Sequence, residues 1–407
     1  MPCRLDGMSD ITSLVSRHDE WRLRECINLQ CSENVTSEAV RKILSSDMGH
    51  RYTLPINQDV HGSFVENAYR GTRYMDEIEA LGEKLAAELF GGKFATVKPL
   101  SGHIAAMIML TAICRKGNRM LVVDAKHGGY DGYLPENMAG MFGFKAGFLP
   151  FDKRRWNVDS GAAARKIRKE KPRLVVLGAS FILFPYDIRP IREAADDVGA
   201  LLGYDGSHVL GLMAGGEFQK PFEEGVDILV GSTHKSLFGP QGGLVVCRDD
   251  SLADDIRKAF YWKVMDNAHW NRIAALTQAL SEVKRHGAKY ARQVVKNSKA
   301  LASSLHRGGL ELRFPELDFT ECHQMHVDER ALKADWNLTL DQYAKKLERS
   351  NLIVDAVGRI GTNELTRLGG REETASEIAD MILRALKDED VAREVAALRS
   401  NLKMSYC

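Results

Sequence analysis

Lys235 stands in the run Gly231-Ser232-Thr233-His234-Lys235-Ser236, between an apolar segment ending at Val230 and the glycine-rich return Gly239-Pro240-Gln241-Gly242-Gly243. A lysine set among hydroxyls, an imidazole and glycines suits an amine that attacks a carbonyl to form a Schiff base, provided part of it is kept unprotonated. Upstream, the apolar run 201–204 ends in Asp205-Gly206-Ser207-His208. A carboxylate at a strand end suits a partner for a protonated ring nitrogen, and His208 is close enough in sequence to serve the same ligand. Ser101-Gly102-His103 precedes an apolar helical stretch, and the N–H groups of a helix start favour a phosphate. The run 120–123 leads into Asp124-Ala125-Lys126-His127-Gly128-Gly129-Tyr130, an imidazole flanked by glycines that let a flat ring approach. Taken singly, each has an ordinary structural explanation: a solvated loop lysine, a helix-capping aspartate or serine, a satisfied histidine.

These residues matter together because of the elements that carry them. Short apolar runs without polar alternation at 120–123, 174–177, 201–204, 228–230 and 244–247 read as buried parallel strands. Helix-period stretches at 77–90, 103–114, 162–169 and 189–198 lie between them. The fold class is therefore α/β, a mostly parallel sheet covered by helices and joined by right-handed crossovers. In such a sheet ligands bind outside the C-terminal strand ends, where Asp205 and Lys235 fall. A long polar helix from 271 to about 306, short strands near 310–328 and helices after 340 read as a smaller C-terminal α+β domain. The expected division is an N-terminal arm at 1–45, a large domain at 46–270 and a small one at 271–407.

Composition narrows the partners. The 407 residues are 44% hydrophobic and 27% charged, and 56 basic against 55 acidic residues leave a net charge of +1. No global field draws such a chain onto nucleic acid or an anionic membrane, which favours a small-molecule role. Cysteines at 3, 26, 31, 114, 247, 322 and 407 lack the spacing of a disulfide framework or zinc site, so reduced thiols in a cytoplasmic protein are expected. No export signal and no run near ~18 apolar residues is found. His323-Gln324-Met325-His326 reads as a strand, which separates its histidines, and no metal site is expected.

The order Ser-Gly, His-Gly-Gly, Asp-x-x-His, then Thr-His-Lys followed by Gly-Pro-x-Gly-Gly resembles the serine hydroxymethyltransferase family of fold-type I pyridoxal-phosphate enzymes. Cys31-Ser32-Glu33-Asn34 looks like the family's Ser-Glu-Asn segment, residues 69–76 like its tyrosine-bearing segment, and Gly358-Arg359-Ile360-Gly361-Thr362 like its arginine strand. By that resemblance Lys235 carries pyridoxal 5'-phosphate as an internal aldimine, Asp205 pairs with the ring nitrogen and His127 stacks over the ring. Ser101, Gly102 and His234 hold the phosphate, and Ser180 with His208 lies near the cofactor oxygen. Arg359 grips the substrate carboxylate through a bidentate fork, assisted by Ser32. Tyr52 and Tyr69 match tyrosines supplied across a subunit boundary, which implies a homodimer with shared active sites. The chemistry implied is making or breaking the Cα–Cβ bond of a β-hydroxy amino acid, interconverting serine and glycine or cleaving threonine.

The chain departs from the family at informative places. Leu54 stands where the family has a glutamate that handles a proton in folate-linked one-carbon transfer, and a leucine cannot do so. The segment before Arg359 is short, residues 264–269 replace a glycine-rich loop, and His103 follows Ser101-Gly102 where a small hydroxyl is usual. These changes resemble the threonine transaldolase branch. The partner of the amino acid is thus an aldehyde or a one-carbon carrier. An aminotransferase and a non-catalytic cofactor-binding protein remain alternatives.

Overall fold

The computed structural model describes residues 10–407. Its contacts divide the chain into two units, one of residues 34–292 with 406–407, the other of the described residues up to Glu33 with 293–405. The boundary falls inside one 38-residue helix, Trp270–Arg307, after Arg292 rather than near 270. Nor do the described residues up to Glu33 stand apart as an arm: Ile27 and Asn28 pair in parallel with Leu352 and Ile353, a two-residue ladder too short to leave a sequence signal.

The first unit is built on a seven-stranded sheet. Its strands are β1 (Phe94–Thr96), β2 (Arg119–Val122), β3 (Lys145–Phe148), β4 (Leu174–Leu177), β5 (Leu201–Asp205), β6 (Ile228–Ser232) and β7 (Gly243–Cys247). The order is β1-β7-β6-β5-β4-β2-β3. Pairing is parallel from β6 through β5, β4 and β2 to β3, whereas β7 runs antiparallel to both β6 and β1. The parallel reading of 244–247 therefore fails, because the loop from Thr233 to Gly242 is shorter than the dozen or so residues a parallel crossover needs. Strands β4 to β7 are buried almost throughout, as their apolar composition requires.

Helix α1 (Arg73–Phe90) precedes β1, and helices α2 (Gly102–Ile113), α3 (Ser160–Glu170) and α4 (Arg189–Val198) lie between the strands in sequence. Helix α2 starts at Ser101, whose hydroxyl accepts the Ile104 N–H at 3.1 Å, and buries eight of its twelve residues. Absent from the sequence expectations is an exposed hairpin, Pro55–Val60 with Ser63–Asn67. Its two-residue turn, His61-Gly62, takes positive φ at both positions (52° and 84°), which suits the twist of paired strands.

In the second unit the strands Gln324–His326 and Arg359–Gly361 pair antiparallel. An apolar cluster including Leu301, Leu305, Met325, Leu347, Ile360 and Ile382 forms its core. Free cysteines 26, 31, 114, 247 and 322 are buried and Cys407 is exposed, while Cys3 lies outside the described residues. No helix among the described residues is long and apolar enough to cross a membrane.

Candidate active site

At the C-terminal end of β6 the chain closes a loop around Thr233. The Thr233 hydroxyl donates to the Pro240 carbonyl at 2.6 Å, its N–H to Gly242 at 3.0 Å, and its carbonyl accepts from Gly239 at 2.8 Å. Ser236, fully buried, donates to the His208 carbonyl at 2.5 Å and accepts from the Gly211 N–H at 3.0 Å. Asn34 donates to the Lys235 carbonyl at 2.9 Å. With its backbone fixed on both sides, Lys235 lines a small cleft of about 80 Å³, its Nζ 3.2 Å from Nε2 of His208.

Asp205 ends β5 at the same cleft, and three donors converge on it. Tyr133 donates to one carboxylate oxygen at 2.9 Å, while the Ser207 hydroxyl (2.6 Å) and N–H (3.1 Å) donate to the other. Burial, reinforced by that carboxylate, holds the Tyr133 phenol well above its ordinary range, so it remains a donor.

Gly102, Ser207 and Ser232 also line the cleft. The Ser232 N–H donates to the Ser207 hydroxyl at 3.0 Å, and a Cβ on Gly102 would lie 2.2 Å from the Ser232 hydroxyl. The start of α2 is thus pressed against a hydroxyl-lined strand end, a cradle that any larger residue at 102 would fill. Ser180 also lines the cleft, whereas Ser101 and His234 flank it without lining it. Ser207 and Ser232 were missed by the sequence reading although both lie inside the motifs that drew attention. A hydroxyl next to a strand-end Asp or Lys was the available signal.

His127, expected to stack over the ring, does not line the cleft. Asp124 caps a single turn by accepting the Lys126 N–H at 3.1 Å, and Gly128 (φ 84°) then reverses the chain. Gly129 follows, packed so tightly on the Val123 carbonyl that a Cβ would sit 2.0 Å from it. These glycines serve the turn and the packing. The turn leaves His127 outside the cleft lining, its ring stacked on Phe151 at 4.7 Å and 4°. Both imidazole nitrogens are buried without a hydrogen-bond partner, and burial pushes the His127 pKa down. The ring delivered to the cleft is Tyr130, whose hydroxyl meets Nδ1 of His103 at 2.8 Å.

The rings of Tyr52 and Tyr69 meet at 4.7 Å, tilted by 42°, and Tyr52 donates to Asp266 at 3.0 Å. Neither lines the cleft holding Lys235. Leu54 is 9% exposed. In the second unit, Nε of Arg359 donates to Asp355 at 2.6 Å, and the other Asp355 oxygen accepts the Arg359 and Val357 N–H groups at 2.9 and 3.1 Å. Chain 29–31 runs beside that strand through Gly361 N–H to Leu29 carbonyl (2.7 Å) and Asn363 to Cys31 carbonyl (3.1 Å), which brings Ser32 into the same unit.

Comparison with known proteins decides the kinship. The sequence model of the serine hydroxymethyltransferase family matches residues 7–382. The chain belongs to the serine hydroxymethyltransferase family. A serine hydroxymethyltransferase of Methanopyrus kandleri is 40% identical, covering 97% of this chain and 94% of its own, and that of Methanothermobacter thermautotrophicus is 39% identical with the same coverage. Among solved structures, an L-threonine transaldolase from Pseudomonas fluorescens in its internal aldimine state superposes with a TM-score of 0.87 at 25% identity, covering 97% of this chain and 92% of that one. This family member is a pyridoxal-phosphate-dependent enzyme of the hydroxymethyltransferase type with the fold-type I architecture.

The cleft's residues fit that cofactor. An amine, a buried carboxylate held by three donors, and a glycine-and-hydroxyl cradle at a helix start are the chemical complements of an aldehyde, a pyridine nitrogen and a phosphate.

Proposed function

We propose that this enzyme makes and breaks the Cα–Cβ bond of a β-hydroxy amino acid, with Lys235 as the residue that holds pyridoxal phosphate. The observation that carries this reading is the placement of Lys235 and Asp205 in one cleft, the amine beside His208 and the carboxylate fixed by Tyr133 and Ser207. When bound, the cofactor supplies an electron sink for the bond broken at Cα. Asp205 pairs with its ring nitrogen and keeps that sink protonated. Gly102, Ser207 and Ser232 hold the phosphate, with Ser101 and His234 supporting them from either side. His208 holds or returns a proton at Nζ of Lys235 across their 3.2 Å separation. Arg359 binds the substrate carboxylate with Ser32. Tyr52 and Tyr69, by their resemblance to the family's tyrosine-bearing segment, serve the cleft of a second copy in a homodimer.

Among the candidate reactions, folate-independent cleavage of threonine or serine is favoured by Leu54. Its apolar side chain cannot carry the proton that folate-linked transfer requires. Aldehyde release from serine and from threonine, each with and without tetrahydrofolate, tests this. Release from threonine indifferent to folate supports it, and serine cleavage that depends on folate overturns it.

A further inference from the structure

Among the described residues, Tyr130 is the one aromatic side chain lining the cleft besides the imidazoles of His103 and His208, and it is held on two sides. Its hydroxyl meets Nδ1 of His103 at 2.8 Å, with the two rings edge-on at 6.0 Å. Its ring meets Tyr133 edge-on at 5.6 Å, and Tyr133 in turn donates to Asp205 at 2.9 Å. A phenol tethered at its polar tip and braced along its edge keeps few rotamers. Such a ring is held in place in the cleft that Asp205 and Lys235 also line. His127 does not line the cleft, and one face of its ring stacks on Phe151.

We infer that Tyr130 is the positioning residue that packs on the cofactor ring, with His103 anchoring its hydroxyl. His103 and Tyr130 then form one unit, in which the imidazole fixes the tilt of the phenol and the phenol fixes the tilt of the cofactor. This explains why a histidine follows Ser101-Gly102, a place where a small hydroxyl would leave Tyr130 untethered. The inference rests on the cofactor site proposed above.

The test follows release of pyridoxal phosphate from the holoenzyme by absorbance and by the circular dichroism of the cofactor band, in parent, Tyr130→Ala, Tyr130→Phe, His103→Ala and His127→Ala proteins. Tyr130→Ala is expected to weaken retention by about tenfold, the size of one aromatic stacking contact, and to diminish the dichroic band. Tyr130→Phe keeps the ring and is expected to retain the cofactor within about twofold. His103→Ala and Tyr130→Phe remove the same hydrogen bond, so they should change the dichroic band alike and the double variant no further. Parent-like retention and dichroism in Tyr130→Ala overturn the inference, as does loss in His127→Ala alone. Borohydride reduction of every variant separates the two layers: cofactor trapped on Lys235 with Tyr130→Ala unaffected defeats only the role of Tyr130, whereas no trapping on Lys235 defeats the site itself.

Discussion

Nζ of Lys235 lies 3.2 Å from Nε2 of His208, and the His208 carbonyl accepts the hydroxyl of Ser236, the next residue in the lysine loop. Two separate strand ends are thereby locked at one distance, so the proton relation between amine and imidazole is built into the backbone. Replacing His208 by Phe keeps the ring's bulk but removes the acceptor. We expect turnover to fall by roughly 10²-fold, with the cofactor still attached. Single-turnover rates and the absorbance of the bound cofactor report these two effects independently.

Asp205 depends on Tyr133 for one of its three donors. Tyr133→Phe is expected to destabilise the holoenzyme by about 2 kcal/mol, the loss typical of a hydrogen bond to a charged group, and to lower turnover modestly. Asp205→Asn should lower turnover far more, because an amide cannot keep a ring nitrogen protonated. Thermal unfolding and steady-state rates of the two variants give the order.

Arg359 is paired through Nε with Asp355, and its guanidinium is the planar fork proposed for the substrate carboxylate. Lysine at this position retains charge without the fork. Arg359→Lys should raise KM for the amino acid by about tenfold and change kcat less. An unaltered KM would remove Arg359 from substrate binding.

Burial pushes the Glu364 carboxyl up to about 7 from 4.5, outweighing the hydrogen bond it accepts from Asn28 at 2.7 Å. A folded pKa above the unfolded one means that the folded state binds more protons between these values. The stability it contributes is complete below about 4.5 and is lost as pH rises through about 7. Glu364→Gln should therefore raise the melting temperature at pH 8 by a few degrees and leave it nearly unchanged at pH 4. Glu83, also raised to about 7 by burial, titrates in the same window, so the variant flattens only part of the pH dependence.

Leu54 offers a gain-of-function test. If the missing carboxylate is what separates this chain from folate-linked transfer, Leu54→Glu should increase the stimulation of serine cleavage by tetrahydrofolate. A variant that folds normally and stays indifferent to folate would show that the short segment before Arg359 also matters.

Asp205, His208 and Lys235 were legible in the sequence because each follows an apolar run, and a strand buried on both faces leaves its next polar residues at the ligand-binding edge. Tyr130 was not legible. Residue type favoured the imidazole of His127, and only the successive turns at Gly128 and Gly129 decide which ring returns to the cleft. The pairing of Ile27 and Asn28 with Leu352 and Ile353 was equally hidden, since two-residue strands carry no periodicity. The hairpin at 55–67 escaped because its strands are mostly polar and half-exposed. Strand β7 was found, but its direction depends on the length of the Thr233 loop and not on its own composition.

The central claim is that Lys235 holds the cofactor. Reduction of the holoenzyme with borohydride, followed by digestion and mass mapping, locates the amine that the cofactor occupies. Reduced cofactor is expected on Lys235, and none after Lys235→Ala. Label on another lysine, or label that persists in Lys235→Ala, would contradict it.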